Sequence, residues 1–263
     1  MGGRRIPEAV LERDYCLSWA LVGVFESPLK DCVVFKGGTA LKKCYFADYR
    51  FSEDLDFTLV VETALDQIER GLETAFEEVR RRSGVGIRLD HIDRHSHVNS
   101  HTLYLAYNGP LPGAAGKIVK VDFTIRERIV YSIEERPLLG YKEYSDVPKD
   151  VRMRVYSLNE VALEKVVALL DRARNEPRDL YDLWFLTANQ HIDLETLRGA
   201  VVSKLDFRHL TLEQAGGEFL PKKERLRRLW QTRLSAQMAD LPEFDGVYRA
   251  VSRSLRQAGI TTK

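Results

Sequence analysis

Two short stretches hold the residue types best suited to chemistry: Phe35-Lys36-Gly37-Gly38-Thr39-Ala40-Leu41 and Arg50-Phe51-Ser52-Glu53-Asp54-Leu55-Asp56-Phe57. On a strand, residues i and i+2 share a face, so Asp54 and Asp56 project two carboxylates to one side while Leu55 and Phe57 turn to the core. Like charges so placed repel unless a cation lies between them. A hard divalent ion such as Mg²⁺, with oxygen ligands and retained waters, suits that position. Gly37 and Gly38, ahead of a helix starting at Thr39, offer close backbone approach and N–H groups to a phosphate. A single further carboxylate, Asp122, stands between Val121 and Phe123. If its strand pairs beside the first, Asp54, Asp56 and Asp122 form a three-carboxylate metal site, the arrangement used for in-line phosphoryl or nucleotidyl transfer with two metal ions. Taken singly, a Gly-Gly pair is most often a turn, and an Asp-x-Asp at a strand end is common. The order of glycine turn, helix, acidic strand and later acidic strand carries the reading.

The elements that must position these residues follow from periodicity. Apolar spacing predicts a helix over 8–25, with Pro7 at its start. A β-branched and aromatic run over 32–35 predicts a strand that ends at the glycine pair, and a helix resumes over 39–46. A strand over 55–61 leads to a helix over 64–82. Strands over 85–92 and 102–107 flank a polar, His-containing stretch, and a loop over 109–113 precedes the alternating strand that begins at Lys117. Beyond about 157 the pattern is helical, over 158–174, 180–190, 194–204, 222–238 and 244–257. The expected architecture is α+β: a mixed-sheet core over 1–156, then a helical domain over 157–263, with the active site in the cleft between them.

Composition narrows the class. The 263 residues carry 40 Lys+Arg against 39 Asp+Glu, a formal charge of +1, which excludes a wholesale basic nucleic-acid binder. At 44% hydrophobic the chain is an ordinary globular protein, neither disordered nor fibrous. The near balance hides a partition, slightly acidic over 1–150 and basic over 151–263. Cys16, Cys32 and Cys44 are too few for a disulfide framework and point to a reducing compartment. The N-terminus has no apolar run that reads as a signal peptide. No stretch approaches the roughly 20 apolar residues of a membrane span. A soluble, cytoplasmic protein is expected.

The motifs resemble those of DNA polymerase β-type nucleotidyltransferases, and within them the AbiEii/AbiGii toxin family. The resemblance rests on Lys36-Gly37-Gly38-Thr39-Ala40-Leu41, followed by Arg50, Ser52, Glu53, Asp54, Leu55, Asp56 and Phe57. It continues in Glu164-Lys165-Val166-Val167-Ala168-Leu169 through Arg172 and in Pro177-Arg178-Asp179-Leu180-Tyr181-Asp182-Leu183, so it spans at least residues 33–186. Thr39 stands where the superfamily more often has serine. The resemblance implies that Asp54 and Asp56 bind two Mg²⁺ ions, with Asp122 as third carboxylate assisting deprotonation of the attacking hydroxyl. It further implies that Gly37, Gly38, Thr39 and Ser52 hold the nucleotide phosphates and that Lys165 neutralises one of them as a flexible point charge. Asp182 becomes a nucleotide or structural partner, in competition with Asp179. The implied activity is transfer of a nucleoside monophosphate from an NTP to an acceptor hydroxyl by a toxin of a toxin–antitoxin or phage-defence pair. The leading acceptor is the tRNA 3′ end, and a cognate antitoxin is the expected protein partner. Two rivals are an enzyme that attaches the nucleotide to a protein hydroxyl and a non-catalytic NTP-binding module.

Three other features carry plainer readings beside their functional ones. His91, His95, His97 and His101 crowd together with Asp90 and Asp93, yet the spacing suits a polar hairpin loop better than a zinc site. Lys222, Lys223, Arg225, Arg227 and Arg228 read either as a solvated helix face or as a basic helix guiding an RNA backbone. Tyr181 and Trp184 read as core rather than base-stacking platforms.

Overall fold

A computed structural model describes residues 5–93, 99–112, 117–141 and 143–261. The described residues fall into two compact units, one drawn from 6–127 and 133–156, the other from Arg5, the segment 128–132 and 157–261.

The first unit is built on a seven-stranded mixed sheet ordered β3-β4-β5-β2-β1-β7-β6. In chain order, helix α1 (Glu8–Glu26) precedes β1 (Val33–Lys36), the short helix α2 (Gly37–Ala40) and a π-helical turn over Leu41–Tyr45. Then come β2 (Leu55–Leu59), α3 (Leu65–Ser83), β3 (Gly86–Asp93), β4 (Ser100–Asn108), β5 (Ile118–Thr124), β6 (Ile133–Pro137) and β7 (Arg152–Tyr156). The two-residue period decides which face is which. Along β5 the side chains alternate strictly between partly exposed and buried, the mark of a sheet packed on one face only. Leu55, Phe57, Val121 and Phe123 go to the core with α1 and α3. Phe25, Phe35, Phe57 and Phe123 form an aromatic ladder there, with neighbouring ring centroids 5.2 to 6.5 Å apart, so burial of this face fixes the strand register. The carboxylates of the second face follow from the same alternation.

Periodicity located most elements within a few residues. Strands β6 and β7 were not anticipated. Residues Ile133–Pro137 contain two glutamates, an arginine and a proline, a composition suited to the sheet edge that β6 occupies. The helix expected from Thr39 begins at Gly37 and widens into the π turn. The strands over 85–92 and 102–107 form an antiparallel hairpin, with His91 opposite Tyr104 and stacked on it at 4.3 Å. His95 and His97 lie outside the described residues.

The second unit is helical: α4 (Leu158–Leu170), α5 (Pro177–Asn189), α6 (Leu194–Phe207), the short α7 (Leu212–Gly216), α8 (Lys223–Leu234) and α9 (Phe244–Gln257). Helix α4 is buried on nearly every side. Ser157 caps its N-terminus. Pro177 opens α5, where a missing N–H costs nothing. Between α4 and α6, Lys204 and Glu160, both fully buried, pair at 2.8 Å, and Lys204 also meets Glu164. The other Glu160 oxygen accepts from the backbone N–H groups of Val130 and Tyr131 at 3.0 and 2.8 Å, which ties the segment 128–132 to this unit. Among the described residues no helix is long and apolar enough to cross a membrane.

Candidate active site

The site begins with a register. Strand β2 runs parallel to β5 with Asp56 directly opposite Asp122, antiparallel β1 places Lys36 opposite Asp56, and antiparallel β4 places Thr102 opposite Asp122. Directly opposed residues share a face. Lys36, Asp56, Asp122 and Thr102 therefore form one polar row across four strands, with Asp54 just ahead of β2. Asp54, Asp56 and Asp122 are all partly exposed.

Both oxygens of Asp122 are engaged. The buried Thr102 hydroxyl donates to Oδ1 at 2.5 Å, and the Lys120 ammonium pairs with Oδ2. Lys120 lies two residues before Asp122 on the same strand and face. Desolvation alone would lower its pKa. The hydrogen bond and charge of Asp122, with the charges of Asp56 and Asp54, instead hold it above the ordinary lysine value.

The glycine turn meets this row at Gly37, whose φ of 79° is a left-handed conformation that glycine adopts without strain. A Cβ at Gly37 would lie 2.5 Å from Asp56 Oδ2. Any side chain there would therefore collide with the carboxylate. Thr39 is buried, and its hydroxyl donates to the Asp54 carbonyl at 2.5 Å. Thr39 thus tethers the segment entering β2, a task the sequence did not suggest. Ser52 is also buried. The π turn serves the same segment from behind: the buried Lys42 ammonium donates to the carbonyls of Ala47 and Tyr49 at 2.9 and 3.0 Å. It lies 4.2 and 4.8 Å from the ring centroids of Phe51 and Tyr141, an arrangement attractive to a cation. Burial pushes its pKa down to about 8. Next to it, the equally buried Lys43 and Asp14 pair at 2.8 Å.

Among the described residues no three His, Cys, Asp or Glu side chains converge closely enough to form a ready metal cage. The donor chemistry fits Mg²⁺ nevertheless, because that ion commonly takes one or two carboxylates and completes its shell with water and substrate phosphate. The row of Asp56 and Asp122, with Asp54 adjacent, supplies hard oxygen ligands of that kind.

In the helical unit, Lys165 lies between two carboxylates, Asp179 Oδ1 at 2.7 Å and Asp182 Oδ2 at 2.8 Å. Both aspartates of the motif thus meet one ammonium. Burial would raise the Asp179 pKa, but Lys165 and the Arg174 guanidinium, 2.6 Å away, hold it well below the usual carboxylate range. The basic segment divides. Lys222 is buried and donates to the carbonyls of Leu169 and Asp171, satisfying the C-terminal end of α4, which corrects the expectation that it faces RNA. Arg227 forms two hydrogen bonds to Asp245 at 2.8 and 2.9 Å, and Lys223 lies over the Tyr248 ring. Arg225 and Arg228 remain exposed. Tyr181 is buried beside Trp184 and Trp230.

Sequence reasoning passed over Thr102, Lys120 and Lys42. For Lys120 the signal was present, since Lys-x-Asp on a strand puts both side chains on one face. Nothing local marks Thr102, because its position depends on the β4–β5 register.

Comparison with known proteins bears on the fold and the family. A search of curated proteins finds no match. Among solved structures, the chain is similar to the nucleotidyltransferase toxin MenT4 of Mycobacterium tuberculosis H37Rv, with a TM-score of 0.66 and 18% identity over 96% of this chain and 88% of that one. At that identity the likeness establishes the fold. A family model described as nucleotidyl transferase AbiEii toxin, type IV TA system, matches residues 19–250. With that span matched, the chain belongs to the AbiEii family of nucleotidyl transferase toxins of type IV toxin–antitoxin systems.

Proposed function

We propose that this toxin transfers a nucleoside monophosphate from an NTP to an acceptor hydroxyl, releasing pyrophosphate, and that the acceptor is the 3′ end of tRNA. The observation that carries the transfer chemistry is the β2–β5 register, which sets Asp56 beside Asp122 and leaves Asp54 at the entry to the same strand. In this reading Asp54, Asp56 and Asp122 hold Mg²⁺. Bound there, Mg²⁺ would neutralise charge on the attacking oxygen and on the leaving pyrophosphate. Asp122, the carboxylate with partners on both oxygens, takes the proton of the acceptor hydroxyl. The Gly37-Gly38 backbone receives a phosphate beside Asp56, where no side chain fits. Thr39 and Ser52 line that approach, Thr39 chiefly by holding the Asp54 backbone. Lys165, oriented by Asp179 and Asp182, contributes positive charge toward the triphosphate, with Asp182 as the more buried of its two partners. Arg225 and Arg228 are the side chains of the basic helix proposed to meet the RNA backbone. An antitoxin partner accords with the family, and a cytoplasmic site of action accords with a tRNA acceptor.

The test is incubation of purified protein with Mg²⁺, each α-labelled NTP in turn, total tRNA and cell extract. Label is expected in tRNA and lost with Asp56→Ala, with a fall in rate of about a thousandfold or more, the scale of removing a group needed in the transition state. Label in protein would replace the RNA acceptor with a protein hydroxyl. NTP binding without label in any acceptor would sink the enzymatic reading.

A further inference from the structure

We propose that Lys120 is the built-in counterion of the acidic row, occupying Asp122 in the metal-free protein and giving it up when a divalent cation binds. The inference rests on the reading of Asp54, Asp56 and Asp122 as the metal face. Three carboxylates on and beside neighbouring strands cannot all remain ionised at low cost without positive charge among them. Lys120 supplies it at Asp122, paired to Oδ2 and within electrostatic reach of Asp56 and Asp54, while Lys36 stands opposite Asp56 in the same row.

The two groups on Asp122 differ in how readily they can leave. Thr102 is 4% exposed and held by the β4–β5 ladder, with a short side chain that has no other place to go. The Lys120 side chain is 41% exposed on a flexible four-carbon stem. A cation arriving at Asp122 therefore displaces Lys120 from Oδ2, while Thr102 keeps the carboxylate aimed through Oδ1. No bond is made or broken other than this exchange of ionic partners, and the charge balance rises by the two units that the cation brings. The ammonium so released stays on the same sheet face, next to the place where phosphate charge arrives.

Calorimetric titration with Mn²⁺, without NTP, tests the exchange. Lys120→Met is expected to bind Mn²⁺ about two- to fivefold more tightly than the wild type, the range for losing a partly exposed competing ion pair. In EDTA its melting temperature should fall, and that fall should shrink on an Asp122→Asn background, where the carboxylate paired with Lys120 is gone and only Asp56 and Asp54 remain for it to offset. Lys120→Gln, which keeps a hydrogen-bond donor, serves as second variant should the methionine perturb folding. Unchanged or weaker Mn²⁺ binding by both variants would overturn the counterion role while leaving the metal face intact. If the wild type itself takes up no Mn²⁺, or if Asp56→Asn leaves its Mn²⁺ affinity unaltered, the metal-face reading falls and this inference falls with it.

Discussion

The sheet unit and the helical unit handle charge in opposite ways. On the sheet face, Asp54, Asp56 and Asp122 are partly exposed and share the field of a lysine that solvent can reach. In the helical unit the notable lysines are sealed: Lys204 on Glu160 and Glu164, Lys165 on Asp179 and Asp182, Lys222 on the last carbonyls of α4. Among the described residues these three buried lysines are matched by three buried acids, Glu160, Asp179 and Asp182, so the basic bias of the second half of the chain stays at its surface. Within the basic run over 222–228, Lys222 ties the end of α4 and Arg227 pairs with Asp245, leaving Arg225 and Arg228 as exposed members. Net charge by region describes what a segment contains, and burial decides what it presents.

Three experiments press on this contrast. The largest effect should come from Lys204→Met, which leaves Glu160 buried without its cation. Breaking such a pair costs about 3–5 kcal/mol, read as a lower urea midpoint with the m-value preserved. A loss below about 1 kcal/mol would mean that the sealed lysines are no more structural than surface ones. Next comes Thr102→Val. Losing the donor on Asp122 Oδ1 should cut kcat about tenfold, the scale of one hydrogen bond to a charged group, with the NTP KM unchanged and Thr102→Ser restoring most of the rate. An equal loss in the serine variant would make the position a packing site instead. The smallest effect is expected from Arg225→Glu with Arg228→Glu. Affinity for tRNA should weaken severalfold and its salt dependence become shallower, while Lys222→Ala should lower stability and leave that salt dependence alone. The reverse pattern would erase the distinction between sealed and presented charge.

Much of this was legible in advance, for particular reasons. Asp54, Asp56 and Asp122 stood out because strand alternation is strict and their neighbours Leu55, Phe57, Val121 and Phe123 are unmistakably core. Helix α9 fell where its periodicity placed it. Strand β6 escaped because an edge position rewards the charge and proline that argue against a strand in a linear reading, and β7, one place in from it, because its five residues include two arginines. Lysine is usually a surface residue, so nothing local marks Lys42, Lys43 or Lys222 as buried. Only tertiary structure reveals that carbonyls and a carboxylate await them inside. The tether from Thr39 to the Asp54 backbone likewise spans 15 positions of sequence and belongs to no motif.

The segment 128–132 has a consequence for how this chain can be divided. It leaves the sheet unit after residue 127, lends the Val130 and Tyr131 N–H groups to buried Glu160, and returns as β6. A cut at 156 would look like a clean domain boundary. The C-terminal piece would nonetheless lose two of the donors that stabilise its most buried acid, and the N-terminal piece would carry a stretch with nothing to bind. Any exchange of modules between related chains, by recombination or by hand, would have to move residues 128–132 together with the helices or replace Glu160 along with them.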